Sequence, residues 1–312
     1  MVSGEWSAIE PTHHSPLTPY YSPMDKPSIL VQLDTDPQPS AFDRVVAVDS
    51  GVQQLFSYGG VKPEQAQALV HGCIFTRGAK DLHRTAIFIG GSDVAAGEAL
   101  LAEVKKHLLP QWKLQVSVLL DSNGANTTAA AAVRAAAWHI DLTGVKALVL
   151  GGTGPVGQRV ARLLAGNGAE VRVGSRQKQR AEQVCGALRS RFSAAQIEPC
   201  ATGTAADLAH ALTGRTLVIA AGAAGAVLLP KSARAACPDL RVAIDLNAVP
   251  PVGIEGVEVT DKAKDRNGVV SYGAIGVGDT KMKIHKAAIA KLFERSDQIL
   301  DAEEVYEIAK SI

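Results

Sequence analysis

Three glycines, Gly152, Gly154 and Gly157, stand in the spacing G-x-G-x-x-G within Val149-Leu-Gly-Gly-Thr-Gly-Pro-Val-Gly157. The apolar run before them reads as a strand and the stretch after them as a helix. In that context each glycine has a mechanical task. Gly152 permits the tight turn, Gly154 lets the backbone approach a pyrophosphate, and Gly157 lets helix and strand pack closely. Pro155 suits the first helical turn, where a missing N–H costs nothing. The free N–H groups of that turn, with Thr153 and Val156 between the glycines, favour the pyrophosphate of a dinucleotide.

The next strand says which dinucleotide. An NAD site ends it with an acid that accepts from the ribose 2′-hydroxyl. Here the only acid, Glu170, opens the strand, and the strand ends Val173-Gly-Ser-Arg176. Ser175 and Arg176, with Lys178 and Arg180 nearby, suit a 2′-phosphate, so NADP is the expected cofactor. Arginine also stacks on adenine, which keeps NAD compatible. Gly222 and Asn247, each following an apolar strand, are expected near the nicotinamide end.

Acid–base chemistry is harder to find. His71, His83, His107, His139, His210 and His285 show no carboxylate partner or motif, and neither GxSxG nor HExxH occurs. Hydride loss from an alcohol needs a base for the hydroxyl proton. Hydride loss that leaves a stable cation needs none, and the missing base tilts the choice toward that reaction. The four cysteines form no CxxC pair and no zinc pattern. They are expected as thiols in a reducing, cytoplasmic compartment. His13 and His14 lack a third ligand, and no metal site is expected.

These groups need a scaffold. The chain has 312 residues, 46% hydrophobic and only 4% aromatic, enough for two α/β units of closely packed helices. A net charge of +1 gives no electrostatic case for nucleic acid or an anionic membrane. No apolar run is long enough to span a bilayer. Residues 1–27 read as an extended or disordered tail without the features of a secretory signal.

Strands are predicted at 29–33, 85–89 and 114–120. Between them lie helices at 41–48, 63–70 and 93–107, and an alanine-rich helix capped by Asn126 follows, running to His139. Each strand ends in a polar or glycine cluster: Asp34 and Asp36, Gly90 and Asp93, Asp121 and Asn123. Ligands of open α/β sheets bind beyond the carboxyl ends of strands, so the three clusters are expected to converge on one cleft. A second unit starts near Val145, with strands at 147–150, 170–173, 196–199, 216–220 and 241–246. Residues 273–278 read as a glycine-rich loop, followed by helices at 281–294 and 302–312. The expected fold is α/β, two domains around a cleft, the C-terminal part a Rossmann-type NAD(P)-binding domain with a parallel sheet.

Several longer motifs are distinctive: Leu33-Asp-Thr-Asp36 with Ser40-Ala-Phe-Asp43, Ile74-Phe-Thr-Arg77-Gly78, and Ile87-Phe-Ile-Gly-Gly91 with Ala95-Ala-Gly-Glu98. Further along stand Leu120-Asp-Ser-Asn-Gly-Ala-Asn-Thr-Thr128, Asn247-Ala-Val-Pro-Pro-Val-Gly253, Gly273-Ala-Ile-Gly-Val-Gly278, Lys281-Met-Lys-Ile-His285 and Ala302-Glu-Glu-Val-Tyr306. Together with the glycine turn they resemble the NAD(P)-dependent methylene-tetrahydromethanopterin dehydrogenases from about Ser28 to the end. The resemblance implies a homo-oligomer. It implies reversible hydride transfer from the methylene carbon of tetrahydromethanopterin to NAD(P)+, giving the methenyl product of one-carbon metabolism. It assigns residues 28–126, with 285–312, to a pterin-binding unit and 127–284 to the nucleotide unit. Lys281 matches a lysine regarded as an active-site residue in that family. Asp34, Asp36, Thr76, Arg77, Lys80, Asp93, Asn123 and Thr127 become candidates for the pterin cleft. Carboxylates and amides suit an amino-pyrimidinone edge, and cations suit an anionic tail. The alternatives are a methylene-tetrahydrofolate dehydrogenase and a non-catalytic NADP-binding sensor.

Overall fold

A computed structural model describes residues 26–312. The expected tail, with His13 and His14, lies outside the described residues apart from Lys26 and Pro27. The first unit contains β1 (Ile29–Asp34), α1 (Ala41–Asp49), β2 (Gln54–Tyr58), α2 (Ala66–Ile74), β3 (Thr85–Gly90), α3 (Val94–His107) and β4 (Ser117–Leu120). Helix α4 (Ala125–Ala137) leads into the second. There follow β5 (Lys146–Leu150), α5 (Pro155–Gly166), β6 (Glu170–Ser175), α6 (Lys178–Arg191), β7 (Ile197–Ala201), α7 (Ala205–Leu212), β8 (Leu217–Ala220), α8 (Lys231–Ala235), β9 (Val242–Asp245), β10 (Lys264–Asp265) and β11 (Val270–Tyr272). Helix α9 (Ala274–Lys291), β12 (Ile299–Leu300) and α10 (Ala302–Ala309) complete the chain.

Among the described residues there are two sheets. The first is wholly parallel, in the order β12-β4-β3-β1-β2, and the second runs β10-β11-β9-β8-β5-β6-β7 with only β10 antiparallel. Counted within its own unit, the first follows 2-1-3-4-5, with its switch point between β1 and β3. The second follows 3-2-1-4-5-7-6, with its switch point between β5 and β8. Both place a binding crevice at the carboxyl ends of those strands. β1, β3 and β4 are almost continuously buried, as expected for parallel strands covered on both faces. Ser40 accepts from Asp43 N to start α1, and Asp93 accepts from Ala96 N to start α3.

Helix α4 lies between the units. Most of its alanines are buried in the main hydrophobic core, where their small side chains let α5, α9 and α10 approach closely. The boundaries expected at 126/127 and 284/285 fall inside α4 and α9, so the units are joined by continuous helices.

Two local readings change, at Asn126 and at 273–278, and the strands β2 and β12 lie outside the predicted elements. Gly124, with φ 57°, precedes α4 in place of the expected cap Asn126, which is buried in the first turn. Residues 273–278 are no loop. α9 begins at Ala274, and Gly276 is a packing position, since a Cβ there would lie 1.9 Å from the Asp261 carbonyl. β2 alternates exposed and half-buried residues at the sheet edge. β12 has only two residues, too few for a periodic pattern to register.

Candidate active site

A cavity of about 310 Å³ opens at the first switch point. The β1–α1 segment supplies Asp36, Ser40, Phe42 and Asp43, and the loop after β3 supplies Gly91 and Ser92. The loop after β4 supplies Asn123 and Gly124, and Lys281 enters from α9. All three strand-end clusters therefore contribute to one cavity or to the loops around it. Asp34 itself is fully buried. Its Oδ1 accepts from Asp36 N at 2.9 Å and its Oδ2 from Ser40 N at 3.0 Å, so it folds the loop that presents Asp36 and Ser40. Asp36 in turn accepts from Ser92 N and Oγ, both at 2.9 Å, tying two of the loops together. Asn123 adopts a left-handed φ of 54°, which asparagine tolerates better than most residues.

Asp121 stands behind this cavity, buried. It accepts from Thr127 Oγ1 at 2.7 Å, Thr127 N at 3.0 Å and Asn126 N at 2.9 Å. Burial pushes its carboxyl up to about 6, against the Thr127 hydrogen bond and the Lys281 charge. Thr127 is spent on this contact and does not line the cavity.

Lys281 Nζ lies 5.0 Å from the centroid of the Phe42 ring, a cation–π arrangement. It rests against Gly124, where a Cβ would come within 2.7 Å of Nζ. One helical turn on, His285 is fully buried and stacked on Phe88 at 5.9 Å, and neither ring nitrogen has a hydrogen-bond partner. Its Nε2 lies 4.0 Å from Asp43 Oδ1. Burial pulls His285 down to about 4, opposed by Asp43, and burial pushes Asp43 up, opposed first by His285. At neutral pH the cluster therefore holds a neutral imidazole. Two histidines do have carboxylate partners the sequence did not reveal: Asp43 for His285, and Glu103 for His107 at 3.2 Å.

At the second switch point the working surface is backbone. Gly151, with φ 68°, makes the tight turn, a task expected of Gly152. A Cβ on Gly151 would lie 2.5 Å from Gly222 Cα. Gly152 is needed because a Cβ there would lie 2.8 Å from Val173 Cγ1. Gly157 is needed because a Cβ would lie 2.4 Å from the Gly151 carbonyl. Gly154 is different: a Cβ would meet nothing nearer than the Gly151 carbonyl at 3.4 Å. A side chain there would fit the protein but would fill the cradle in front of α5, whose first residue is Pro155. That cradle, with exposed Arg176 and Lys178 beyond the buried Ser175 at the end of β6, fits a dinucleotide carrying a 2′-phosphate.

Gly222 is a packing position, where a Cβ would lie 2.5 Å from Leu228 Cδ1. Asn247 does not reach outward. Its side chain accepts from Val249 N at 3.0 Å and donates to the Pro251 carbonyl at 3.1 Å, ordering its own loop. A second cavity of about 580 Å³ bridges the units, lined by Ser92, Asp93 and Glu98 on one side and Thr153, Pro155, Gln158 and Arg159 on the other. Asp93 faces this space, while Val156 is half-buried in α5.

Of the residues expected in the pterin cleft, Asp36 and Asn123 line the first cavity, and three others lie far from it. Thr76, Arg77 and Lys80 precede β3, at the amino end of the sheet, and β3's length separates them from the cleft by roughly 20 Å. Thr76 Oγ1 donates to the Gly72 carbonyl and Arg77 Nη1 to the Arg84 carbonyl, so both close their own turns. Conversely, Ser40, Phe42, Asp43, Ser92, Gly124 and His285 carry no local sequence signal for a site role. Ser40-Ala-Phe-Asp43 reads locally as a helix cap and first turn, and only the tertiary fold sets it opposite α9.

The sequence model described as methylene-tetrahydromethanopterin dehydrogenase, N-terminal, matches residues 41–123. The chain is 45% identical over 288 residues to the bifunctional protein MdtA of Methylorubrum extorquens, covering 91% of this chain and 98% of that protein. It is 32% identical to the NAD(P)-dependent methylenetetrahydromethanopterin dehydrogenase of the same organism, with coverages of 91% and 98%. Among solved structures, shikimate 5-dehydrogenase from Listeria monocytogenes in complex with shikimate and NAD superposes with a TM-score of 0.53 at 14% identity, over 90% of this chain and 96% of that one. Ligand-free 5-ketofructose reductase of Gluconobacter gives 0.52 at 15% identity, over 92% and 99%. The structural neighbours share the fold, while the sequence relatives match nearly end to end, across both switch-point sites: the chain belongs to the methylene-tetrahydromethanopterin dehydrogenase family.

Proposed function

We infer that this protein is an NAD(P)-dependent methylene-tetrahydromethanopterin dehydrogenase whose pterin occupies the cavity at the β1/β3 switch point. The observation that carries the reading is the pairing of two switch-point sites: a side-chain-lined cavity, and a bare backbone cradle reached from it through the bridging cavity. The bound nicotinamide supplies the hydride acceptor. The pterin product is a methenyl cation delocalised over two nitrogens, so no proton leaves and no base is required. The chain's residues then have to bind, align and exclude water. Phe42 offers an aromatic face for a planar ring, and Asp36 and Asp43 offer acceptors for the N–H groups of an amino-pyrimidinone edge. Lys281 is a positioning cation. A charge beside a forming cation is unfavourable at close range, and Asp43 and Asp121 offset it.

Ser175, Arg176 and Lys178 support a preference for NADP, with NAD a weaker alternative. The pterin unit is residues 28–126 with 285–312, and the nucleotide unit 127–284. Exposed Val45 and Val48 on α1 and Phe56 and Tyr58 on the edge strand β2 favour a homo-oligomer. Four free, buried cysteines suit a reducing compartment, which supports a cytoplasmic location. Among the described residues no helix is long and apolar enough to cross a membrane.

The test is a matrix of methylene-tetrahydromethanopterin and methylene-tetrahydrofolate against NADP+ and NAD+, followed by methenyl absorbance. The fastest turnover is expected with the methanopterin substrate and NADP+. No methenyl product in any combination would sink the enzyme reading.

A further inference from the structure

Helix α5 carries two arginines three residues apart, Arg159 and Arg162. Arg159 is only 4% exposed, yet all three of its nitrogens are engaged. Nη1 donates to the Pro155 carbonyl at 3.2 Å, in the turn that fronts the dinucleotide cradle. Nη2 donates to Glu98 Oε1 of α3 at 2.8 Å, and Nε to Asn126 Oδ1 at the start of α4. Asn126 is equally saturated. Its Nδ2 donates to the Leu120 carbonyl at 2.6 Å and to Asp301 Oδ1 at 3.0 Å, and its backbone N–H to Asp121 Oδ1 at 2.9 Å. Arg162 closes the ring by donating to Asp301 Oδ2 at 2.8 Å and to Glu303.

This ring joins the first turn of α5 to the β4–α4 loop, and Lys281 rests on Gly124 of that loop. A guanidinium can hold three acceptors in a fixed fork, which an ammonium cannot. A buried ionic group is weak evidence for stability in itself, so its placement between two ligand sites calls for another reason. We propose that Arg159 is a positioning residue for the hydride step, fixing the separation and tilt of the dinucleotide cradle relative to the pterin cavity. Its nitrogens are committed to protein, so it acts through Pro155, Glu98 and Asn126. The proposal rests on the dehydrogenase reading above. A reaction without an acid–base partner depends on alignment, and a 1 Å misplacement costs on the order of 100-fold in rate.

The experiment compares full-length wild type with Arg159→Met, Arg159→Lys and Glu98→Ala. It measures the NADP+ Kd, the pterin KM, kcat, and the deuterium isotope effect with dideuterated methylene substrate. For Arg159→Met, Kd and KM are expected to stay within about three-fold while kcat falls roughly 10- to 100-fold and the isotope effect rises. Arg159→Lys is expected between Arg159→Met and wild type. Glu98 is half exposed and its removal leaves the other bonds of Arg159 in place, so Glu98→Ala should move kcat and the isotope effect the same way by a few-fold. A folded Arg159 variant with unchanged kcat and isotope effect, or with its loss confined to Kd or KM, overturns the proposal. If the Arg159 variants do not fold, the same readouts on Glu98→Ala decide it. Failure of the underlying reading looks different, because wild type would then form no methenyl product.

Discussion

The two switch points solve the same topological problem with different materials. At the β5/β8 crevice the protein presents backbone: Gly151 turns, Gly157 packs, and Gly154 keeps the cradle clear. At the β1/β3 crevice it presents side chains drawn from four separate stretches, with a cation, carboxylates and an aromatic face around one cavity. The difference suits the proposed ligands. A pyrophosphate is recognised by N–H groups at a helix start, whereas a heterocycle with a donor edge needs shaped side-chain chemistry. It follows that the β5/β8 site should fail by steric blockage and the β1/β3 site by loss of individual groups.

The largest break in this comparison is expected at Lys281. Lys281→Ala should lower turnover by on the order of 100-fold or more while the NADP+ Kd stays near wild type, measured by steady-state kinetics and nucleotide titration. Gly154→Val tests the other side. Its φ of −78° accepts any residue, so thermal stability should hold, while NADP+ binding weakens on the order of 100-fold by calorimetry. Unimpaired binding would mean the cradle does not face the ligand.

Charge around the β1/β3 cavity gives a pH signature. The folded pKa of His285, about 4, lies below its ordinary 6.5, so its stabilising contribution is present above pH 6.5 and is lost as pH falls toward 4. Asp121 works in the opposite sense: its folded pKa is raised to about 6, so stability falls as pH rises through that value. Measured by urea unfolding, His285→Asn should therefore gain on wild type by about 3 kcal/mol between pH 7 and pH 4. A difference that does not change with pH would mean that His285 is not held neutral.

Smaller effects refine the picture. Arg176→Ala should weaken NADP+ binding roughly ten-fold and NAD+ binding little, because the proposed partner is the 2′-phosphate. Equal losses would remove that role. Lys80→Ala, at the far end of the first sheet, should leave the pterin KM within about two-fold.

The contrast also governs what was legible in the sequence. The glycine turn is local: three glycines, a proline and the flanking strand and helix lie within one short stretch, so its chemistry reads directly. The ends of β1, β3 and β4 were legible as clusters because each follows an apolar strand. Which side chains point inward was not. Asp34 and Thr127 look like ligands in sequence but are spent on backbone and Asp121, because a loop must satisfy its own polar groups before it can offer any. Thr76, Arg77 and Lys80 had suitable chemistry but sit at the wrong end of β3, which only the strand direction reveals. Asp43 and His285 meet across the fold, and no local spacing announces such a pair. Residues 273–278 read as a loop because glycine is a poor helix former, yet Gly276 is what lets α9 pack against Asp261.

The most direct test is a structure of the protein with NADP+ and methenyl-tetrahydromethanopterin bound. The pterin ring should lie in the β1/β3 cavity beside Phe42 and Lys281, its one-carbon bridge about 3–3.5 Å from nicotinamide C4. A pterin seated at the amino end of the sheet, beside Arg77 and Lys80, would contradict this assignment.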